Sequence, residues 1–113
     1  MTHNIKTCLH DAISACQLIL KFSEGINLEE YHENLLVKSA VERQFEILGE
    51  ALNRIKKLEP DYLSEISDWQ RIIAFRNVIA HAYDVIDDEI VFLVIQKQIP
   101  ILQKELTERL SIS

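Results

Sequence analysis

The sequence predicts an all-α fold, an antiparallel four-helix bundle with one short extra helix. Only two glycines and two prolines occur in 113 residues, so tight turns are few. Apolar residues recur every three or four positions through long segments, which is the period of an amphipathic helix. No segment shows the strict alternation of a half-buried strand. We therefore expect one helical domain over residues 1–113, long enough to form its own core.

The first helix is predicted over about residues 3–24. Gly25 follows its last apolar residues and is well placed as a C-terminal stop. Cys8 and Cys16 lie eight residues apart on this helix, which separates their Cα atoms by about 12 Å. This distance is too long for a disulfide, so both thiols are expected to fill the core.

A short helix and a long second helix come next. Asn27 and Glu30 have the spacing of a capping box, which predicts a short helix just after Asn27. An apolar stripe then runs from about residue 33 to Leu58 and stops before Pro60. Gly49 lies inside this second helix, where glycine costs about 1 kcal/mol relative to alanine. Such a glycine predicts a close approach of another helix.

The second half of the chain predicts two further helices. Ser67 and Gln70 suggest another capping box, which would open the third helix at Asp68. Asp87 is a good N-cap for a fourth helix over about residues 88–110, with Pro100 kinking it. The apolar residues expected to face the core from these two helices are Trp69, Ile72, Ile73, Phe75, Ile79, Ile90, Val94, Ile101, Leu102, Leu106 and Leu110.

Net charge and hydropathy narrow the function classes. The formal net charge of −6 argues against broad, non-specific binding of nucleic acid, while leaving room for a locally basic cleft. No apolar run reaches the roughly 18 residues that a membrane-spanning helix requires, and no signal-peptide pattern opens the chain. The sequence therefore predicts a cytoplasmic protein.

One stretch of the third helix combines several reactive side chains. Arg76, Asn77, His81 and Tyr83 fall within eight residues, interleaved with apolar positions. On one straight helix, Arg76 and His81 would point about 140° apart and lie about 7.5 Å apart along the axis. Either the helix loosens near His81, or a second chain completes the site.

The second helix carries three acids at a spacing that could hold a metal. Glu42, Glu46 and Glu50 follow one another at four-residue spacing, as carboxylates in a helical bundle can around metal ions. The Glu-x-x-His motifs of di-iron bundles are missing from the sequence, and a solvated face with ion pairs along the helix explains these acids better. We expect neither a metal nor a cofactor.

The motif Arg76-x4-His81-x-Tyr83, with a polar residue directly after the arginine, resembles the signature of the HEPN superfamily. More narrowly, the chain is similar to the HepT-like branch, the toxin half of MntA–HepT toxin–antitoxin pairs. The segment 42–51, which includes Gly49-Glu50-Ala51, and Trp69 before the motif agree with this branch. The resemblance covers nearly the whole chain, from about residue 5 to 110.

The resemblance implies a homodimeric, metal-independent endoribonuclease with a motif from each protomer facing a shared cleft. Arg76 would bind the phosphate, His81 would transfer protons, and Asn77 would orient His81 or donate to the phosphate. Tyr83 matches the tyrosine that a minimal nucleotidyltransferase antitoxin modifies with AMP. A competing interpretation is a non-catalytic substrate-binding or regulatory subunit of such a nucleotidyltransferase, which the acidic balance of the chain favours slightly.

Overall fold

The computed structural model of the protein describes residues 3–81 and 86–112, and the side chains of His3, Ala80 and His81 lie outside the description. Six helices follow one another along these residues, and they are α1 His3–Phe22, α2 Leu28–Glu33, α3 Leu35–Leu58, α4 Trp69–His81, α5 Asp88–Lys97 and α6 Ile99–Ser111. The predicted all-α fold is confirmed. Helix α2 is the short extra helix, and α5 with α6 forms one broken fourth arm beside α1, α3 and α4.

Local signals in the sequence set three of the helix ends. Gly25 has a φ of 75°, a left-handed conformation that follows the end of α1 at Phe22. The capping box of Asn27 and Glu30 forms in both directions and opens α2. The carboxylate of Asp87 accepts hydrogen bonds from two backbone N–H groups at the start of α5. These three predictions are confirmed.

The core is formed mainly where α3 packs on α1 and α4, and where α6 packs on α1. Both cysteines are free and buried, as expected, and burial raises the pKa of the Cys16 thiol to about 12. The connection between α3 and α4 adds Tyr62, Leu63 and Ile66 to this core through a run of tight turns. None of the described helices is long and apolar enough to cross a bilayer.

The predicted start of the third helix is wrong by one residue. Helix α4 begins at Trp69, because the φ of Asp68 is 57°, outside the right-handed helical region. The backbone N–H of Ser67 donates to the Glu105 carboxylate at 2.9 Å, so a group from α6 replaces the expected bond to Gln70. Trp69 is only partly buried at this helix end.

The predicted buried face of the fourth arm is also wrong at two positions, one in α5 and one in α6. Ile90 and Ile101 are 51% and 53% exposed, whereas Val91, Ile95 and Ile99 are buried. The buried face of α5 begins with the acid Asp88, which is only 8% exposed. A search for apolar positions excludes an acid, so it selects the neighbouring face.

Candidate functional site

Helix α4 carries the first two residues of the reactive stretch and ends at the third. Arg76 is half-buried and Asn77 is exposed, while the backbone of His81 closes the helix. The His81 side chain and the whole of Tyr83 lie outside the described residues. The structure therefore gives the surroundings of Arg76 and Asn77, and the placement of the other two side chains remains a prediction.

The aliphatic part of Arg76 packs directly on the backbone of α3 at Gly49. A Cβ atom added to Gly49 would overlap both Cβ and Cγ of Arg76. The position of Cβ is set by the arginine backbone, so a rotamer change would not remove its overlap. The predicted close helix approach at Gly49 is confirmed, and the helix that approaches is the one that carries the reactive stretch.

Phe75, the residue before Arg76, also packs on α3. The ring of Phe75 meets the fully buried Phe45 of α3 edge to face, with 5.0 Å between centroids. Phe75 and Arg76 thus both contact α3. This packing sets the position of the aliphatic part of Arg76. The position of its guanidinium is then set by hydrogen bonds.

Asn77 holds the guanidinium of its neighbour. Nη1 of Arg76 donates to Oδ1 of Asn77 at 3.0 Å. Nε of Arg76 is buried and has no hydrogen-bond partner among the described atoms. Oδ1 of Asn77 accepts this bond with one of its two lone pairs, and the amide N–H groups are available for a further contact. The sequence suggested that Asn77 serves His81 or a phosphate, and its bond to Arg76 was missed.

The acids on α3 do not gather at one point. Glu46 pairs with Arg43 at 3.2 Å, and Glu50 pairs with Arg54 at 3.0 Å. Glu42 is partly buried, and burial, then the charge of Asp88, raises the pKa of its carboxyl. Two of the three carboxylates therefore neutralise surface arginines, as the solvated-face interpretation predicts.

A second polar cluster, at the corner of α2, α3 and α5, was missed by the sequence analysis. One carboxylate oxygen of Asp88, Oδ2, lies 2.7 Å from Nδ1 of His32 and 2.9 Å from Nζ of Lys38. Burial alone would raise the pKa of Asp88, but its hydrogen bonds with Lys38 and His32 bring it below its ordinary value. Asp88 is 56 residues from His32 in the sequence, so no local pattern indicates this pairing.

Comparison with protein families gives a single assignment. The model of the family described as ribonuclease HepT-like matches residues 12–109. A probable ribonuclease HepT of Thermococcus cleftensis is 29% identical over 107 residues, which cover 91% of this chain and 93% of the relative.

Two further relatives are provisionally named RNases. One, from Methanocaldococcus jannaschii, is 26% identical over 104 residues, covering 90% of this chain and 93% of the relative. The other, from Caldanaerobacter subterraneus, is 28% identical over 100 residues, covering 88% of each chain. No solved structure matches the chain in the corresponding comparison. Because the family model spans most of the sequence, including the reactive stretch, the chain belongs to the ribonuclease HepT-like family.

Proposed function

We propose that this protein is the toxin of a toxin–antitoxin pair and acts as a metal-independent endoribonuclease. The observation that carries this proposal is the way Arg76 is held. Gly49 seats its stem, Asn77 holds one terminal nitrogen, and relatives that match about nine-tenths of the chain are named RNases. A guanidinium fixed in this manner is suited to bind a phosphate through planar donors.

The site is completed by a second copy of the chain in a symmetric dimer. Arg76 and His81 lie on one helix at a spacing that separates their directions. Next to Arg76, α4 exposes a face of small and apolar residues, Ala74 and Val78, of which Val78 is 57% exposed. Pairing of two α4 helices across this face would cover Val78 and bring two copies of the motif together.

The chemistry follows from the two residue types. The 2′-hydroxyl of RNA attacks the adjacent phosphorus, its proton passes to a base, and a second proton reaches the departing 5′-oxygen. A dimer offers two His81 imidazoles, one for each proton. Arg76 stabilises the charge on the phosphorane oxygens, and the products are a 2′,3′-cyclic phosphate and a 5′-hydroxyl.

Cleavage of RNA by the purified protein in EDTA tests this assignment. Arg76→Ala and His81→Ala should each lower the rate at least about 100-fold, with unchanged circular dichroism. Arg54→Ala removes an arginine that pairs with Glu50 on the surface of α3 and serves as the matched control. Full activity of either site variant would remove that residue from the mechanism, and loss of activity in EDTA would refute metal independence.

Mixing of proteins tests whether the site is shared between two chains. Mixing wild-type protein with excess His81→Ala protein should lower the activity per wild-type chain, since most wild-type chains then lie in mixed dimers that keep only one of the two imidazoles. A strictly monomeric protein in solution, with wild-type cleavage, would contradict the shared site.

We assign the control of RNA cleavage to Tyr83. A minimal nucleotidyltransferase of the MntA type would attach AMP to the Tyr83 hydroxyl, with release of pyrophosphate from ATP. The added phosphodiester brings negative charge close in sequence to Arg76 and competes with the RNA phosphate. Intact-mass measurement after incubation with enzyme and ATP should show added AMP in wild type and in Tyr31→Phe, and none in Tyr83→Phe. Equal incorporation in all three would place the modification elsewhere.

The second candidate is a binding subunit that regulates a nucleotidyltransferase without cleaving RNA. The net charge of −6 favours it, because a polyanionic substrate is repelled overall. The same assay separates the two. A protein that fails to cleave RNA in any condition, yet changes the nucleotidyltransferase rate, supports the binding subunit.

A further inference from the structure

An open groove of about 830 Å³ lies between α2 and the N-terminus of α5. Leu28 and Ile86 supply apolar surface to it, and His32 lines it while bonded to Asp88. The groove therefore offers an apolar surface between two helices, which the contact of His32 with the buried Asp88 connects.

The groove is acidic at its rim. Glu29 lines it from α2, and Asp87, Asp88 and Glu89 line it from α5. Asp87 is engaged as the cap of α5, and the charge of Asp88 is matched by Lys38. Glu29 and Glu89 are exposed, and within the described part of the chain neither has an ion-pair partner. These two carboxylates are free to meet an external cation.

The negative charge at the rim indicates which class of molecule binds in the groove. Carboxylates at the rim repel the phosphates of RNA, so the groove is unsuited to the substrate. An apolar floor with free carboxylates at the edge complements a protein segment in which lysine or arginine flanks an apolar side chain. The groove differs in this respect from the Arg76 region, which offers positive charge.

The groove also begins close in sequence to the modified residue. Ile86, which lines it, is the third residue after Tyr83, and three residues of chain extend at most about 11 Å. An enzyme anchored in the groove is thus held near the segment that contains the tyrosine.

We propose that the α2–α5 groove is the docking site of the nucleotidyltransferase that modifies Tyr83. A basic, apolar segment of that enzyme binds there, with cations on Glu29 and Glu89 and an apolar side chain on Leu28 and Ile86. This inference rests on the proposed control by AMP attachment. It adds a binding surface distinct from the Arg76 region, so docking and RNA cleavage are separable by substitution.

Binding of the purified full-length protein to the minimal nucleotidyltransferase of the same genome, measured without ATP by calorimetry, tests the surface. Glu29→Lys and Glu89→Lys should each weaken binding about 10-fold at low ionic strength, and the double variant more. High salt should weaken wild-type binding and shrink the difference between wild type and variants. Glu108→Lys makes the same charge change at an exposed position near the end of α6 and should bind as wild type does.

The rates of AMP attachment and RNA cleavage complete the test. In the double variant, AMP attachment to Tyr83 should require at least about 10-fold more enzyme, with RNA cleavage unchanged. If the double variant binds and gains AMP as wild type does, the docking site is wrong while control at Tyr83 stands. If the variants change RNA cleavage and leave binding unchanged, the groove serves RNA and the inference is overturned. If wild type itself neither binds nor gains AMP, the proposed control fails, and the docking inference fails with it.

Discussion

The α3–α4 contact and the α2–α5 corner are held together by different forces. At the first, the arginine stem lies on Gly49 and two phenylalanine rings meet edge to face. At the second, a buried aspartate is clamped by a lysine and a histidine. Packing of this kind is indifferent to pH and salt, whereas an ion cluster depends on both. The molecule thus fixes Arg76 by packing and the start of α5 by charge.

The largest expected effect concerns shape. Gly49→Ala removes a helix-weakening glycine, yet its Cβ overlaps the inner atoms of Arg76, so we expect unfolding free energy to fall by about 2–3 kcal/mol. RNA cleavage should fall as well, because the guanidinium is displaced. Urea unfolding and cleavage rates check both.

Gly25→Ala is the matched control for that variant. Its positive φ also makes alanine costly, by about 1 kcal/mol, but nothing lies within 4 Å of an added Cβ. We therefore expect a loss of stability with full cleavage activity. Equal loss of activity in the two variants would show that Gly49 acts only through stability.

The next effect concerns charge. Asp88→Asn should cost about 1–2 kcal/mol at neutral pH, because it leaves Lys38 without its carboxylate. The folded pKa of Asp88 lies below its ordinary value, so its contribution is complete above about pH 4 and is lost as pH falls through the lower, folded value. The pKa of Glu42 is raised in the folded protein, so protonation of this carboxyl at low pH favours folding, opposite to the effect of Asp88.

Stability measured against pH tests this. The wild type should lose part of its stability below about pH 4, and Asp88→Asn should show a smaller loss in that range. Asp11→Asn changes an exposed acid on α1 and should keep the wild-type slope. Parallel acid curves for wild type and Asp88→Asn would show that the cluster contributes nothing.

The smallest effect concerns an unsatisfied hydroxyl at the same corner. Tyr31 is fully buried, its ring packs on Phe92 with 5.8 Å between centroids, and its hydroxyl has no hydrogen-bond partner among the described residues. Tyr31→Phe keeps the ring and removes the buried polar group, so stability should stay level or rise by up to about 1 kcal/mol. A loss of stability in thermal unfolding would reveal a partner for the hydroxyl.

The sequence predicts features that depend on neighbouring residues and misses those that depend on distant ones. Capping at Asn27 and Asp87 and the break near Pro100 depend on residues near one another in the chain, and all three were predicted. The close approach at Gly49 was predicted from the glycine alone, without the identity of the approaching residue. The start of α4 was missed because Ser67 bonds to Glu105, which is 38 residues away. In the site, Arg76 and Gly49 could be anticipated separately, while their contact and the hydrogen bond to Asn77 required the folded chain.

The break between α5 and α6 has a consequence for how the molecule opens. Pro100 lies in the first turn of α6, where its missing N–H leaves no helical bond unmade. On either side of it the packing differs, since α5 lies against α2 while α6 lies against α1. We therefore expect α6 to open together with α1, and α5 to open with α2 as a separate unit. Backbone amides of α5 should exchange with solvent deuterium sooner than those of α6, although the two helices form one arm.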